Sequence, residues 1–287
     1  MMKKIKFSFS AEKKLWVGDG FYVHPLLRPQ EGLYQFTCPF ILMDYSPPFE
    51  FGKTSKRRGV GEHPHRGFET VTFAFKGEVE HRDSSGGGGL IKPGDVQWMT
   101  AGEGVVHDEF HSESFSKKGG LFEMVQLWVN LPKKHKMTKP KYQSISDNII
   151  PKLVLNGKTQ LRVIAGKLLS TEGPASTFST INIYDITCSS EDTIELSLDD
   201  GSNTIILVRD GEIMLEGNVF EKNTLVVFEQ AGQKLKFKAT KNFKGLLLNG
   251  MPINEPIFSY GPFVMNTKEE IEKALSDYEK GKMGNLN

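Results

Sequence analysis

The 287-residue chain has few cysteines, almost no net charge and no long apolar segment. Its two cysteines, Cys38 and Cys188, lie far apart in the sequence, which excludes the paired spacing of zinc ribbons and dithiol sites. We expect both to be buried, reduced thiols. The 36 basic and 35 acidic residues give a formal net charge of +1. Because this balance offers no strongly basic surface, we expect neither nucleic acid nor a membrane as a partner.

Targeting signals are also missing from the sequence. Residues 7–14 (FSFSAEKK) are too polar for the core of a signal peptide, and no stretch is long and apolar enough to span a bilayer. The predicted location is therefore cytoplasmic. We expect a monomer, and a protein partner remains an open alternative.

Short β-forming segments dominate what the sequence does contain. Residues 71–75 (VTFAF), 96–99 (VQWM) and 125–129 (VQLWV) are rich in β-branched and aromatic residues, and similar segments follow in the second half. Many short strands separated by Gly and Pro turns predict an all-β sandwich or barrel. Near the end, Thr267 and Glu270 form a capping-box pattern that predicts an amphipathic helix over residues 268–278.

The two halves of the chain resemble each other. Residues 75–79 (FKGEV) recur as residues 208–213 (VRDGEI), at an offset of 134 positions. This repetition predicts a duplicated domain, with an N-terminal domain over residues 1–135 and a C-terminal domain over 136–287. The basic segment 131–141, bracketed by prolines, is the predicted linker. The same offset places Ser197 and Asp199 where the first half has His63 and His65.

Two short motifs carry the strongest chemical signal. His63 and His65 are spaced i, i+2, and so are His107 and Glu109, in segments with strand character. Side chains at i and i+2 of a strand point to the same face. Two such strands facing each other would offer three imidazoles and one carboxylate to a first-row transition metal, with coordination positions left open. No histidine follows the predicted linker, so this chemistry belongs to the first half.

Longer motifs around these residues resemble those of the pirin family within the cupin superfamily. They comprise residues 63–72 (HPHRGFETVT), 93–102 (PGDVQWMTAG), 106–109 (VHDE) and 255–267 (EPIFSYGPFVMNT). The resemblance implies two tandem cupin β-barrels followed by the C-terminal amphipathic helix, with a metal held only by the N-terminal barrel. The family's metal ligands carry over onto His63, His65, His107 and Glu109.

The resemblance also implies an activity, a metal-dependent dioxygenase that cleaves the 2,3-bond of a flavonol such as quercetin or a related enolic or phenolic compound. Its cofactor would be one divalent transition metal, first of all Fe(II), with Mn, Ni, Co, Cu or Zn as alternatives. Dioxygen would be the second substrate, and Glu109 would act as the catalytic base. Two departures from the family pattern, Glu103 between two glycines and the glycine-rich segment 84–89, concern substrate preference rather than metal binding.

Several further residues are candidates for the environment of the metal. Gln126, Met124, Phe51 and Phe68 are candidates to line a substrate pocket. Ordinary core packing is the preferred interpretation of the apolar three, and an amide on the barrel exterior explains Gln126 equally well. We interpret His81 and His111 as surface or loop histidines, with orientation of a ligand as the alternative. Glu69 is interpreted as a carboxylate that fixes a loop or a ligand.

Family resemblance leaves two other functions open. Some pirins are described as metal-dependent transcriptional co-regulators, which makes a non-enzymatic, iron-sensing protein-binding regulator the main alternative. The third possibility is a stress-related metalloprotein that acts on another small enol or phenol. The regulator would form a complex with its partner in a metal-dependent way without turnover, whereas the third possibility predicts turnover of a different compound.

Overall fold

A computed structural model describes residues 1–10, 12–29 and 32–286 of the chain. It is mostly β, as the sequence predicts, with the helices α1 (Tyr34–Thr37), α2 (Glu113–Lys118) and α3 (Lys268–Glu279). Neither cysteine takes part in a disulfide bond, and both are buried, which confirms the expectation of buried, reduced thiols. Among the described residues, no helix combines the length and the apolar character that crossing a membrane requires.

The strands are short and follow one another closely along the chain. The first twelve are β1 (Ile5–Ser10), β2 (Leu15–Val17), β3 (Phe21–Leu27), β4 (Phe40–Phe51), β5 (Gly59–His65), β6 (Phe68–Lys76), β7 (Val79–Asp83), β8 (Gly88–Ile91), β9 (Val96–Thr100), β10 (Val105–His111), β11 (Gly120–Asn130) and β12 (Lys141–Ile145). The others are β13 (Lys152–Leu155), β14 (Thr159–Ala165), β15 (Lys167–Leu168), β16 (Thr171–Glu172), β17 (Ile181–Cys188), β18 (Asp192–Ser197), β19 (Asn203–Asp210), β20 (Glu212–Leu215), β21 (Asn218–Glu221), β22 (Thr224–Phe228), β23 (Lys234–Ala239), β24 (Lys244–Gly250), β25 (Phe258–Tyr260) and β26 (Phe263–Met265).

One compact unit contains every histidine of the chain, and we call it the histidine unit. It consists of Lys13–Glu31, Phe40–Asp147 and Asn254–Asn287. Its seven-stranded sheet has the order β12-β9-β6-β11-β4-β3-β2, and its four-stranded sheet has the order β5-β10-β7-β8. Apolar side chains from both sheets, such as Met124 of β11 and Val79 of β7, belong to one buried cluster, as expected for two β layers that share a core.

The other compact unit, which we call the histidine-free unit, repeats this architecture. It consists of Met1–Glu12, Gly32–Pro39 and Asn148–Ile253. Its sheets have the orders β1-β22-β19-β24-β17-β14-β13 and β18-β23-β20-β21, again seven strands and four. Two units with the same pair of sheets agree with the duplication that the sequence indicates.

The two compact units are not separated by a single boundary after residue 135, because each consists of three segments of the chain. The N-terminal strand β1 pairs with β22 of the histidine-free unit, whereas β12 pairs with β9 of the histidine unit. Each of these strands occupies the edge of a seven-stranded sheet. The C-terminal segment from Asn254 onward also belongs to the histidine unit. Hydrogen bonding at sheet edges, which composition does not reveal, therefore assigns β1 and β12 to their units.

The prediction of a linker over residues 131–141 is wrong. Leu131 and Lys136 are buried, and the Lys136 ammonium donates to the carbonyls of Gly67 and Val264 and to Oδ1 of Asn130, at 2.7–2.9 Å. A polar, basic composition suggested a solvated connection. The segment is instead anchored in the histidine unit, because one lysine finds three buried acceptors there.

The C-terminal helix is confirmed. Thr267 accepts a hydrogen bond from the Glu270 backbone amide, and the Glu270 carboxylate accepts one from the Thr267 amide, which completes the capping box. Ile271 and Ala274 on the buried side of α3 pack with Val106 and Phe263 in a small apolar cluster of the histidine unit. This packing fixes the C-terminal segment beside strand β10.

Candidate metal centre

Strands β5 and β10 bring the two predicted ligand motifs together. They pair antiparallel, with His107 opposite His63 and Val105 opposite His65. The register shifts between His107 and Glu109, which marks a β-bulge beside the ligands. Gly59 allows this approach, because a Cβ atom there would lie 2.1 Å from the Glu109 carbonyl oxygen. The two histidines of β5 thus lie at the end of their strand, beside this bulge.

Three imidazole rings converge at this point. The ring centroids of His63, His65 and His107 are 4.2–4.8 Å apart, and one nitrogen from each lies within 4.8 Å of the others. Nδ1 of His63 is 2.8 Å from the Gly61 carbonyl oxygen, and Nδ1 of His65 is 3.4 Å from that of Pro262. Because carbonyls accept hydrogen bonds, these contacts place the proton on Nδ1 and leave the Nε2 lone pair free.

His107 provides the clearest indication that these histidines bind an ion. Its ring is fully buried, and Nε2 has no hydrogen-bond partner among the described residues. Burial, followed by the nearby histidines, lowers the pKa of His65 and of His107 well below 6.5. Neutral imidazole is the form that binds metals, and an unpartnered buried nitrogen is costly. These three histidines therefore fit a bound transition metal ion.

Glu109 belongs to an overlapping cluster. Its carboxylate lies within 4.8 Å of ligand nitrogens of His81 and His107. The Gln97 amide donates to Oε1 at 3.4 Å, and the Gln126 amide donates to Oε2 at 3.4 Å. Two amides thus orient Glu109 beside His107, which belongs to both clusters. In this position the carboxylate could act as a metal ligand or as a base.

A cavity of about 260 Å³ opens on this site. Its polar lining is formed by His63, His65, Glu109, Gln126 and Asp44. The remaining lining is largely apolar and comes from Val17, Phe21, Val23, Leu42, Val60, Met124, Trp128, Gly261 and Pro262. A mostly apolar pocket with a few convergent polar groups is typical of sites for small-molecule ligands.

The four predicted pocket residues divide into two pairs. Gln126 and Met124 line the cavity, together with Trp128, because alternate residues of β11 face the same side. Phe51 and Phe68 are buried and are not among the lining residues. Phe68 instead packs behind His65 and Trp128, at ring-centroid distances of 5.0 and 4.2 Å. It supports the wall of the site rather than forming it.

The interpretation of His81 and His111 as surface or loop histidines is wrong. Both lie in strands and are buried. His111 packs among phenylalanines and is 2.8 Å from the Gly20 carbonyl oxygen, whereas His81 contacts His107. Glu69 belongs to neither ligand cluster and accepts a hydrogen bond from Thr100.

Sequence reasoning missed several residues that the structure places at the site. Gln97, Trp128 and Asp44 are the main ones. The alternation from Met124 through Gln126 to residue 128 was a usable signal for Trp128, since these positions share a strand face. No comparable signal existed for Gln97 or Asp44, because their positions depend on the pairing of distant strands.

Comparison with known proteins agrees with this architecture. The sequence model of the Pirin family matches residues 21–129, and that of the Pirin C-terminal cupin domain matches residues 183–284. A Pseudomonas aeruginosa protein named "Putative quercetin 2,3-dioxygenase" is 43% identical over 98% of both chains. The crystal structure of a quercetin 2,3-dioxygenase from Acinetobacter baumannii has a TM-score of 0.96 at 47% identity, and each chain covers 100% of the other.

A more distant structure shares the fold. The bacterial pirin YhhW from Escherichia coli, solved in complex with nickel(II), is 17% identical, with a TM-score of 0.65 over 86% of this chain and 99% of its own. Both halves match pirin sequence models, and the two units repeat one pair of sheets. The chain is therefore a member of the pirin family, built from two cupin domains.

Proposed function

We propose that this protein is a metal-dependent dioxygenase that cleaves the 2,3-bond of a flavonol such as quercetin, or of a related enolic or phenolic compound. One divalent transition metal, first of all Fe(II), would be held by His63, His65, His107 and Glu109. The observation that carries the proposal is the buried, unpartnered Nε2 of His107 beside the imidazoles of His63 and His65, which line a largely apolar cavity.

The similar proteins support the same activity. The Acinetobacter baumannii structure that matches this chain along its whole length is a quercetin 2,3-dioxygenase, and the nickel(II) complex of YhhW is a precedent for a metal ion in this fold. When bound, a divalent transition metal supplies Lewis acidity that lowers the pKa of a coordinated hydroxyl, together with redox chemistry toward dioxygen.

The chain's own residues then have defined tasks. Trp128 and Met124 contact the flat rings of the substrate, while the cavity excludes water around them. Glu109 accepts the proton of the enolic hydroxyl, serving as a ligand and a base in turn. The Gln126 amide holds that carboxylate, and Thr72 Oγ1 in turn donates to Gln126 Oε1 at 2.6 Å.

Oxygen consumption tests this proposal. Metal-free protein is reloaded with iron, manganese, nickel, cobalt, copper or zinc, and uptake is recorded with quercetin while carbon monoxide is measured. We expect uptake with at least one metal, loss of more than 100-fold of it in His63→Ala, and retention in His135→Ala, a histidine outside the site.

A negative result is equally informative. If no metal supports uptake although occupancy is confirmed, quercetin is not the substrate, and a panel of other enols and phenols is tested next. Failure of the whole panel would contradict the dioxygenase and favour a metal-dependent protein-binding regulator.

A further inference from the structure

Strand β7 carries a second layer of polar residues behind the ligands. It pairs with β10 on the side away from β5, so that His81 lies opposite Glu109 and Asp83 lies opposite His107. Nδ1 of His81 is 3.2 Å from Nδ1 of His107, and Nε2 of His81 is 3.2 Å from Oδ2 of Asp83. The three side chains form one buried chain of contacts.

The neighbours of His81 determine the direction of these hydrogen bonds. The Tyr142 hydroxyl donates to Oε1 of Gln97 at 3.2 Å, so the Gln97 amide nitrogen points toward His81 Nδ1, which is 3.3 Å away. His81 Nδ1 is therefore an acceptor. Its proton must be on Nε2, facing Asp83, and the Nδ1 of His107 must be the second donor.

Asp83 is built to remain a carboxylate. Its Oδ1 accepts hydrogen bonds from the Ser85 amide, the Ser85 hydroxyl and the Gly87 amide, which leaves Oδ2 for His81. Burial by itself would raise the pKa of Asp83, but the hydrogen bonds from His81, Ser85 and Gly87 lower it below its ordinary value. Gly87 is needed for this approach, because a Cβ atom there would lie 2.4 Å from Oδ2.

We propose that Asp83 and His81 are positioning residues that hold His107 in its Nδ1-protonated tautomer, so that Nε2 presents its lone pair to the metal. The inference rests on the metal site of the proposed function. Carboxylate–histidine pairs that orient a metal-bound imidazole typically contribute 10–100-fold to metal affinity. The competing interpretation is that His81 is itself a ligand, in a site with His107 and Glu109.

Asp83→Asn separates these interpretations. The three donors at Oδ1 keep the amide oxygen in place, so the NH₂ group faces His81 and repels its Nε2 proton. On Nδ1 the proton would face the Gln97 amide nitrogen, so neither tautomer of His81 is favoured in this variant, and His107 is no longer held with its proton on Nδ1. A fraction of His107 then carries its proton on Nε2, where the metal would bind. His81→Phe is the second variant, because it retains a ring against Tyr142, whose ring lies 5.2 Å away, and removes both nitrogens.

Two measurements are made without any substrate. Nitrogen-15 NMR of metal-free protein reports the tautomers of His81 and His107, and chelator competition gives the affinity and stoichiometry of zinc binding. Asp108→Asn is the matched control, since Asp108 adjoins His107 in sequence but pairs with Arg82 at 2.8 Å. Melting temperatures of the metal-free variants verify that each is folded.

We expect Nδ1-protonated His107 and Nε2-protonated His81 in the wild type, and an increased fraction of Nε2-protonated His107 in Asp83→Asn. Zinc affinity should fall 10–100-fold in Asp83→Asn and in His81→Phe, with about one zinc per chain retained and Asp108→Asn unchanged. The proposal would be overturned by Nε2-protonated His107 in the wild type, or by an unchanged zinc affinity in folded His81→Phe. It would also be overturned if His81→Phe bound much less than one zinc per chain. Because no substrate is present, failure of the dioxygenase proposal would not affect these outcomes.

Discussion

At the scale of single residues, the three imidazoles of the site differ in what holds their Nδ1 atoms. Main-chain carbonyls face Nδ1 of His63 and of His65, and a carbonyl can only accept a hydrogen bond. His107 faces another imidazole, which can accept or donate. The tautomer of His107 therefore depends on side chains behind it, and this histidine is the one most sensitive to substitutions outside the ligand set.

A buried carboxyl on β6 gives a prediction about pH. Burial raises the pKa of Glu69 to about 7, although the Thr100 hydroxyl donates to it at 2.7 Å. A raised pKa means that the folded state favours the protonated form, so its contribution to stability is present below pH 4.5 and is lost as pH rises through 7. Relative to Glu69→Gln, the wild type should lose up to about 3 kcal/mol of unfolding free energy between pH 5 and pH 8.

Urea unfolding of both proteins at several pH values, with a chelator present, measures this difference. Comparing wild type with the isosteric variant cancels the titration of all other groups that the two share. A difference that stays constant from pH 5 to pH 8 would show that Glu69 titrates normally.

At the scale of elements, features that depend on local sequence patterns could be predicted, whereas features that depend on the pairing of distant strands could not. The i, i+2 motifs of β5 and β10 and the capping box of α3 are local, because each depends on residues that are close in sequence. His81 was misassigned because its place behind His107 depends on the register of β7 against β10. The segment at 131–141 was misassigned because acceptors for Lys136 come from residues 67, 130 and 264.

This segment provides a prediction about stability. Lys136→Met retains the length of the side chain but removes the donor of three buried hydrogen bonds, which should lower the unfolding free energy by about 3 kcal/mol. Lys134→Met, two residues away and exposed, should change it by less than about 0.5 kcal/mol. Equal effects of the two substitutions in chemical denaturation would contradict the anchoring role of Lys136.

At the scale of the whole molecule, one architecture occurs twice with different chemistry. The offset between the halves places Ser197 and Asp199 at the positions of His63 and His65. In the histidine-free unit these two residues line an open cleft with Lys167 and Asn182. Among the described residues, the candidate metal clusters all fall in the histidine unit. Sequence similarity predicted this asymmetry, since the second copy contains no histidine at all.

A matched pair of substitutions tests the asymmetry. His65→Asn and Asp199→Asn change corresponding positions of the two copies to the same residue. We expect the wild type and Asp199→Asn to bind about one transition metal per chain, and His65→Asn to retain less than a tenth of that amount. The metal content of each protein is measured after gel filtration. Equal loss of bound metal in both variants would mean that both units take part in metal binding.

The most direct test of the proposed metal centre is anomalous X-ray diffraction from crystals of the iron-loaded protein, recorded on both sides of the iron absorption edge. We expect one strong peak per chain, bounded by Nε2 of His63, His65 and His107 and by the Glu109 carboxylate. A peak between His81, His107 and Glu109 that lies out of reach of His63 and His65 would contradict it, and so would the absence of any peak in crystals whose iron content is confirmed.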